Sequence, residues 1–181
     1  SHHYPTGIVM PISRRYELLG WASKGEGRYI IEDDYDSELR LGGKPIPTLQ
    51  SIDISEKVIY MNTFTKTLAS TVRISYMILP RPLLEQFYQK LSFYSCTVSN
   101  FEQYTLDLFI KEGYFEKHIN RLRNYYQNKK NGFLSAIWDS GLHKCVEISG
   151  EEAGVHFLMK LKTEKAEENV IELAKAQGIK L

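Results

Sequence analysis

The stretch Val58-Ile59-Tyr60-Met61-Asn62-Thr63-Phe64-Thr65-Lys66, with Arg73 seven residues beyond it, decides the reading of this chain. Its first part, Lys57 to Met61, is β-rich and reads as a strand. A lysine follows, with hydroxyls three and one positions before it and a guanidinium downstream. A lysine amine can form a Schiff base with an aldehyde. Two hydroxyls and a planar guanidinium can hold a phosphate.

The matching half lies upstream, in Tyr29-Ile30-Ile31-Glu32-Asp33-Asp34-Tyr35-Asp36. Its apolar start reads as a buried strand, and its acidic end is where such a strand leaves the sheet. In open parallel sheets, ligands sit beyond the carboxyl ends of the strands. Asp33 and Tyr35 lie two apart, so an ideal strand points both to one side. A carboxylate there can pair with a protonated pyridine nitrogen, and a phenol can hydrogen-bond a ring oxygen. An aldehyde, a phosphate and a pyridine together describe pyridoxal 5'-phosphate.

Several short motifs occur in order: Tyr4-Pro5-Thr6-Gly7, Met10-Pro11-Ile12-Ser13-Arg14-Arg15, Glu32 to Glu38, Pro45-Ile46-Pro47, Thr63 to Lys66, and Arg73-Ile74-Ser75-Tyr76-Met77. Together they resemble the aminotransferase-like domain of the MocR/GabR-type, GntR-family bacterial transcriptional regulators, a branch of the fold type I pyridoxal-phosphate enzymes. The motifs cover residues 1–80; the remainder fits the family's layout without sharp motifs. Each motif alone is common, whereas their order and spacing are specific.

The resemblance implies roles residue by residue. Lys66 matches the lysine that carries the cofactor, and Asp33 the carboxylate on the pyridine nitrogen. Tyr35 matches the phenol near the ring hydroxyl. Arg73 matches the phosphate-binding arginine, with Thr63 and Thr65 matching hydroxyls near that phosphate. Three positions depart from the enzymes' pattern. Tyr4 stands where ordinary aminotransferases have asparagine before Pro-Thr-Gly, which favours a regulator over an efficient transaminase. Ser70-Thr71 replaces a Pro-Gly, and Asn62 stands where glycine is common; both look like loop variation.

Composition bounds the rest. A chain of 181 residues with 43% hydrophobic and 25% charged residues suits one soluble globular domain, or one domain with a small second one. A net charge of +1 argues against a dedicated nucleic-acid-binding module. No apolar run approaches the roughly 18 residues that read as a membrane span. Cys96 and Cys145 read as reduced, partly buried thiols of a cytoplasmic protein. The resemblance implies a piece of a longer homodimeric protein, with the glycine-rich phosphate loop, the ring-stacking aromatic and a winged helix before Ser1. The arginine that grips a substrate carboxylate is expected after Leu181.

The fold class expected is α/β, a partial fold type I arrangement. Residues 1–98 are expected to belong to the large cofactor-binding domain, 99–138 to linking helices, and 139–181 to the start of a small α+β domain. Local signals place a helix over 11–23 and strands at 29–32 and 73–79. Leu41 to Pro47 reads as loop. Pro82 opens a helix, and Ser99 with Glu102 forms a capping box for another that Gly113 closes. A long amphipathic helix follows from Tyr114 to about Trp138. Val155, Phe157, Met159 and Leu161 alternate with polar residues as a half-buried strand, and Thr163 is expected to cap a last helix ending at Gly178.

Each group admits a rival reading. Asp33, Asp34 and Asp36 could form a solvated acidic loop or a magnesium site; the lysine module favours cofactor binding, leaving Asp34 and Asp36 structural. Arg14-Arg15 and the cluster Lys117, Arg121, Arg123, Lys129, Lys130 read as solvated helix faces rather than a DNA-binding patch. The histidines lack metal-ligand spacing. For the whole chain, the leading expectation is a cofactor-binding domain that senses an amino-acid or amine effector, contacting DNA only through an upstream domain and no membrane. The rival is an active class I/II aminotransferase, in which released Lys66 moves a proton during catalysis. A third is an α/β fragment without activity.

Overall fold

In the computed structural model, residues 3–42, 46–150 and 155–180 are described. Gly43 to Pro45, part of the expected loop, lies outside the described residues. The first half of the chain builds a three-stranded sheet with helices packed on one face. Helix α1 (Ile12–Ser23) begins directly after Pro11, as the proline signal implies. Strand β1 (Ile30–Asp33) pairs parallel with β2 (Val58–Thr63), Ile30 opposite Val58 and Asp33 opposite Met61. A short helix α2 (Leu49–Ile52) precedes β2, and the Thr48 hydroxyl caps it by accepting from Ser51 N at 3.0 Å. Asp53 then turns the chain, its carboxylate accepting from the backbone N–H groups of Ser55, Lys57 and Val58.

Strand β3 (Ser75–Ile78) runs antiparallel to β2, with Thr63 opposite Ser75. The sheet is therefore mixed rather than wholly parallel. Only 11 residues separate the two strands, from Phe64 to Ile74, which is too few for a covered parallel crossover of a dozen or more. One sheet face packs inward: Val58, Tyr60, Asn62 and Glu32 are buried, and Leu19, Leu49 and Val58 form the core with Ile30 and Ile52 against them. On the other face Ile31, Met61 and Met77 stand exposed.

Helices α3 (Arg81–Leu91), α4 (Asn100–Lys111) and α5 (Tyr114–Asp139) follow. The Ser99/Glu102 capping box forms in both directions, and Gly113, at φ +72, ends α4 and starts α5. Helix α5 is tied back to the sheet by Arg123, which donates to the carbonyl of Glu38 at 2.7 Å. A second, two-stranded sheet pairs β4 (Val146–Ser149) antiparallel with β5 (Leu158–Leu161), and α6 (Glu167–Ala176) closes the described chain.

Four expectations are corrected here. The last strand is shorter than the alternation from Val155 implies, and all four of its residues are exposed. Thr163 does not cap α6, whose N-cap is Ala166; its hydroxyl accepts from Lys165 N at 3.2 Å instead, a local turn that competes with capping. Both cysteines are free but exposed. Arg15 is not on a solvated face. It is 3% exposed, and its guanidinium donates to the carbonyls of Met10 and Pro47, clamping two loops to α1.

Arg14, its neighbour, is an exposed partner of Glu17. Arg15→Ala should therefore lower the stability of the intact protein by about 2–4 kcal/mol, because two carbonyls lose a charged donor in a buried setting. Arg14→Ala should change it by less than about 0.5 kcal/mol. Urea unfolding of the two variants side by side checks this; equal effects would refute the clamp.

Candidate functional site

Strands β1 and β2 end, and β3 begins, at one edge of the sheet. That edge collects all six residues singled out in the sequence. Asp33 is the last residue of β1 and Thr63 the last of β2; Thr65 and Lys66 occupy the turn that follows, and Arg73 lies two residues before β3. Tyr35 lies in the bend after β1, and the Lys66 ammonium sits 4.7 Å from the centre of its ring.

The acidic run is sorted by burial. Glu32, Asp34 and Asp36 are buried, while Asp33 is exposed and Tyr35 half-buried. The inward carboxylates are bonded. Glu32 accepts from the N–H groups of Leu49 and Gln50 at 2.9 and 3.1 Å. Asp34 accepts from Tyr60 Oη and Ser37 Oγ, both at 2.9 Å. Asn62 Nδ2 donates to Glu38 Oε1 at 2.9 Å and to Tyr60 Oη at 3.0 Å. Asn62 is thus no loop variation but a buried member of a polar network. A polar residue at the inward period of a strand, two after Tyr60, carried that signal.

By contrast, Asp33, Lys66 and Arg73 are exposed, and among the described residues Asp33 and Arg73 make no hydrogen bond or ion pair. The two threonines are committed to the turn. Thr63 Oγ1 donates to the Ile74 carbonyl and Thr65 Oγ1 to that of Val72, at 3.2 and 3.1 Å, and the two oxygens lie 3.0 Å apart. They clasp residues 63–65 to 72–74, which sets Lys66 and Arg73 at the two ends of one turn. Donating to a bound anion would require either hydroxyl to rotate away from its carbonyl.

Electrostatics follow burial. Desolvation, with the charges of Asp36 and Asp33 behind it, pushes the Tyr35 phenol up to about 12. Tyr35 therefore stays protonated at neutral pH and can donate. Burial raises Asp36 above the ordinary carboxylate range, opposed by the cations Lys66 and His156. Glu38 is raised by burial, opposed by its own backbone hydrogen bond and that from Asn62. His156 is the residue that sequence reasoning missed. Its Nδ1 lies 3.9 Å from Asp36 Oδ2, and its ring packs edge-on against Tyr4 with centroids 5.2 Å apart. Nothing local signals this, because the approach joins the two ends of the chain.

On this order of strands and helices, the chain has a portion of the fold type I aminotransferase fold. The kynurenine aminotransferase of Pyrococcus horikoshii, solved with PMP, superposes with a TM-score of 0.79 at 29% identity, over 97% of this chain and 43% of its own. In sequence the nearer kin are regulators. The HTH-type transcriptional regulator YdeL of Bacillus subtilis is 45% identical over 181 residues, all of this chain and 39% of its own length. The probable rhizopine catabolism regulatory protein MocR of Rhizobium meliloti is 34% identical over 179 residues, 99% of this chain and 36% of its own. Over its whole length the chain matches one part of these MocR-type HTH regulators, and its fold is the aminotransferase fold. It spans about two fifths of the length of these curated relatives. No protein-family model matches it.

The raised carboxylates give a stability prediction. Glu38 holds its proton to higher pH when folded than when unfolded. Its contribution is therefore present at low pH and is lost as pH rises from the ordinary carboxylate range through its folded value. Glu38→Gln keeps an acceptor for Asn62 and removes the charge. The fall in stability across that window should be shallower in the variant, measured as urea midpoints at a series of pH values; identical slopes would refute the assignment.

Proposed function

We propose that this chain is the pyridoxal-phosphate-binding, effector-sensing part of a MocR-type bacterial transcriptional regulator. The observation that carries the reading is the division of charges at the sheet edge. The buried carboxylates of Glu32 and Asp34 are consumed by internal hydrogen bonds, while Lys66, Asp33 and Arg73 are exposed around a protonated Tyr35. Full-chain kinship with HTH-type regulators supports the regulatory half of the reading.

The residues fit the cofactor. Lys66 would hold it covalently, Asp33 would face its ring nitrogen, and Tyr35 would donate to its ring oxygen. Arg73 would bind the phosphate, with Thr63 and Thr65 as the hydroxyls that re-aim toward it. Bound there, the cofactor supplies an aldehyde that amines can take over and a ring that accepts electrons. An amino acid or amine that competes with Lys66 is then the signal. In this reading the intact protein works in the cytoplasm as a homodimer and touches DNA through a separate domain. Residues 1–98 serve as the cofactor-binding part, 99–138 as the link and 139–181 as the start of a smaller unit.

The aminotransferase reading shares the site and differs in its outcome. Tyr4 weighs against it. The position where enzymes carry an asparagine is occupied here by a ring packed on His156.

Borohydride reduction of the cofactor-loaded intact protein, followed by peptide mapping, should place the label on Lys66; a label on another lysine would sink the assignment. Arg73→Ala should weaken cofactor binding about 10- to 100-fold, the loss expected for one charge-assisted phosphate contact of about 1.5–3 kcal/mol, while leaving Lys66 as the labelled residue. Asp33→Asn should reduce any turnover of amine far more than cofactor affinity, because an amide cannot hold the pyridine nitrogen protonated. Unchanged turnover in that variant would remove Asp33 from its role.

A further inference from the structure

The candidate site has two halves, and both reach beyond the last pairing of the sheet. Strands β1 and β2 stay in register only as far as Asp33 and Met61, with Asp34 N donating to the Met61 carbonyl at 2.9 Å. Tyr35 follows in a bend and Lys66 in a turn, so the ladder does not set the distance between them. Asn62 Nδ2 bonds the Glu38 carboxylate at 2.9 Å, which ties the bend to β2 but not to the turn that carries Lys66. The Lys66 ammonium is nevertheless held 4.7 Å from the centre of the Tyr35 ring.

Helix α5 touches both halves. Phe115, in its first turn, packs edge-on against Phe64, with centroids 5.8 Å apart and planes at 74°. Phe64 is the base of the lysine turn. Its N–H donates to the Ile74 carbonyl and its own carbonyl accepts from Leu68 N, both at 2.9 Å, while its ring lies 5.6 Å from that of Tyr76 on β3. Eight residues along the helix, Arg123 Nε donates to the Glu38 carbonyl at 2.7 Å, and its Nη1 is steadied by Asn120 Oδ1 at 3.4 Å. Glu38 lies in the short 3-10 turn Ser37–Leu39 that closes the acidic bend, three residues after Tyr35. Between these two contacts Ile119, 5% exposed, buries the middle of the helix. Residues 115–123 contain no glycine or proline. At 1.5 Å per residue the two contacts are about 12 Å apart, and a helix without a breaker holds that length firmly.

We propose that α5 is the spacer that sets the distance between the lysine turn and the acidic bend, with Phe115 and Arg123 as its positioning residues. Each acts through a neighbour, Phe115 through Phe64 and Arg123 through the Glu38 carbonyl. This role rests on the reading of the sheet edge as a cofactor site, and it concerns what keeps the two halves of that site in step. A ligand that spans both halves gains from the spacer, because the spacing is fixed before binding. A ligand that meets one half gains nothing from it.

The test compares two such probes on the intact protein. On the proposed reading, pyridoxal phosphate is held by Lys66 and Arg73 on the turn and by Asp33 and Tyr35 on the bend, whereas propanal meets Lys66 alone. Phe115→Ala and Arg123→Leu should each weaken pyridoxal phosphate binding about 10-fold or more, the cost of misplacing groups that must meet one ligand. Capture of propanal at Lys66, read by borohydride reduction and peptide mapping, should stay within about threefold, the scale of an exposed cation–π contact. Phe115→Tyr keeps the ring and Arg123→Lys keeps a donor, so both should retain most of the affinity. Because one helix serves both ends, releasing either end should suffice. The double variant should therefore bind at most about twofold more weakly than the weaker single variant, whereas independent contacts would multiply their losses. Circular dichroism confirms folding, and Phe115→Leu takes the place of Phe115→Ala if the latter does not fold. Unchanged affinity in the folded variants, multiplied losses in the double variant, or an equal loss for both probes overturns the proposal. The cofactor-free protein gives a separate reading. The Tyr35 ring shifts the Lys66 ε-methylene protons upfield in an NMR spectrum, and Arg123→Leu should cut that shift by about half or more as the ammonium leaves the ring face. A reduced shift alongside a borohydride label on another lysine would keep the spacer and reject the cofactor assignment. An unaltered shift with the label on Lys66 would reject the spacer alone.

Discussion

Putting three carboxylates into the interior within five residues is the constraint around which this structure is arranged. A buried, unpaired carboxylate costs several kcal/mol, so Glu32, Asp34 and Asp36 each need an answering group nearby. The N-terminus of α2 answers Glu32, which is why a helix of only four residues is held so firmly against β1. Tyr60 and Ser37 answer Asp34, and Asn62 ties Tyr60 to Glu38. These bonds fix the register of β1 against β2 as strictly as apolar packing does. A one-residue slip would turn the carboxylates out and their partners in.

The same alternation that sends those groups inward leaves Asp33 pointing to the open face. The site is thus a by-product of strand geometry. Glu32 and Asp34 are bonded to the scaffold, and Asp33 between them stays exposed. The lysine turn repeats the logic on a smaller scale. Thr63 and Thr65 bond to the carbonyls of residues 74 and 72, closing a loop that would otherwise let Lys66 and Arg73 drift apart. Pre-positioned charges lose less freedom on binding a ligand, and so retain more of the interaction energy.

Local signals were legible in the sequence wherever a residue's chemistry is settled by its neighbours in the chain. The Ser99/Glu102 box, Gly113, Pro82 and the apolar runs of β1 and β2 all placed elements within one or two residues. Strand β4 was not legible. Val146-Glu147-Ile148-Ser149 alternates correctly, but four residues offer two apolar positions, too few to separate from chance. The direction of β3 depended on the length of the turn before it, not on the strand's own residues. Arg15 and His156 were misread or missed for one reason: their partners, Pro47 and Asp36, are 32 and 120 residues away. The structure brings the six candidate residues to one sheet edge, yet the sequence did not show that the two threonine hydroxyls are committed to the turn.

A fold shared with aminotransferases at 29% identity and with regulators at 45% does not by itself decide what the site is for. On the proposed reading, the distinction lies in what happens to Lys66 after an amine displaces it. An enzyme needs the freed lysine mobile and close to the reacting carbon, where it can carry a proton in both directions. A sensor needs the displacement to be felt elsewhere, which requires a group that responds to the lysine's charge and belongs to another part of the chain. Here the free ammonium lies over an aromatic face from the other half of the site. A cation–π contact of this kind is worth about 0.5–2 kcal/mol and restrains the Lys66 ammonium in the arrangement seen here.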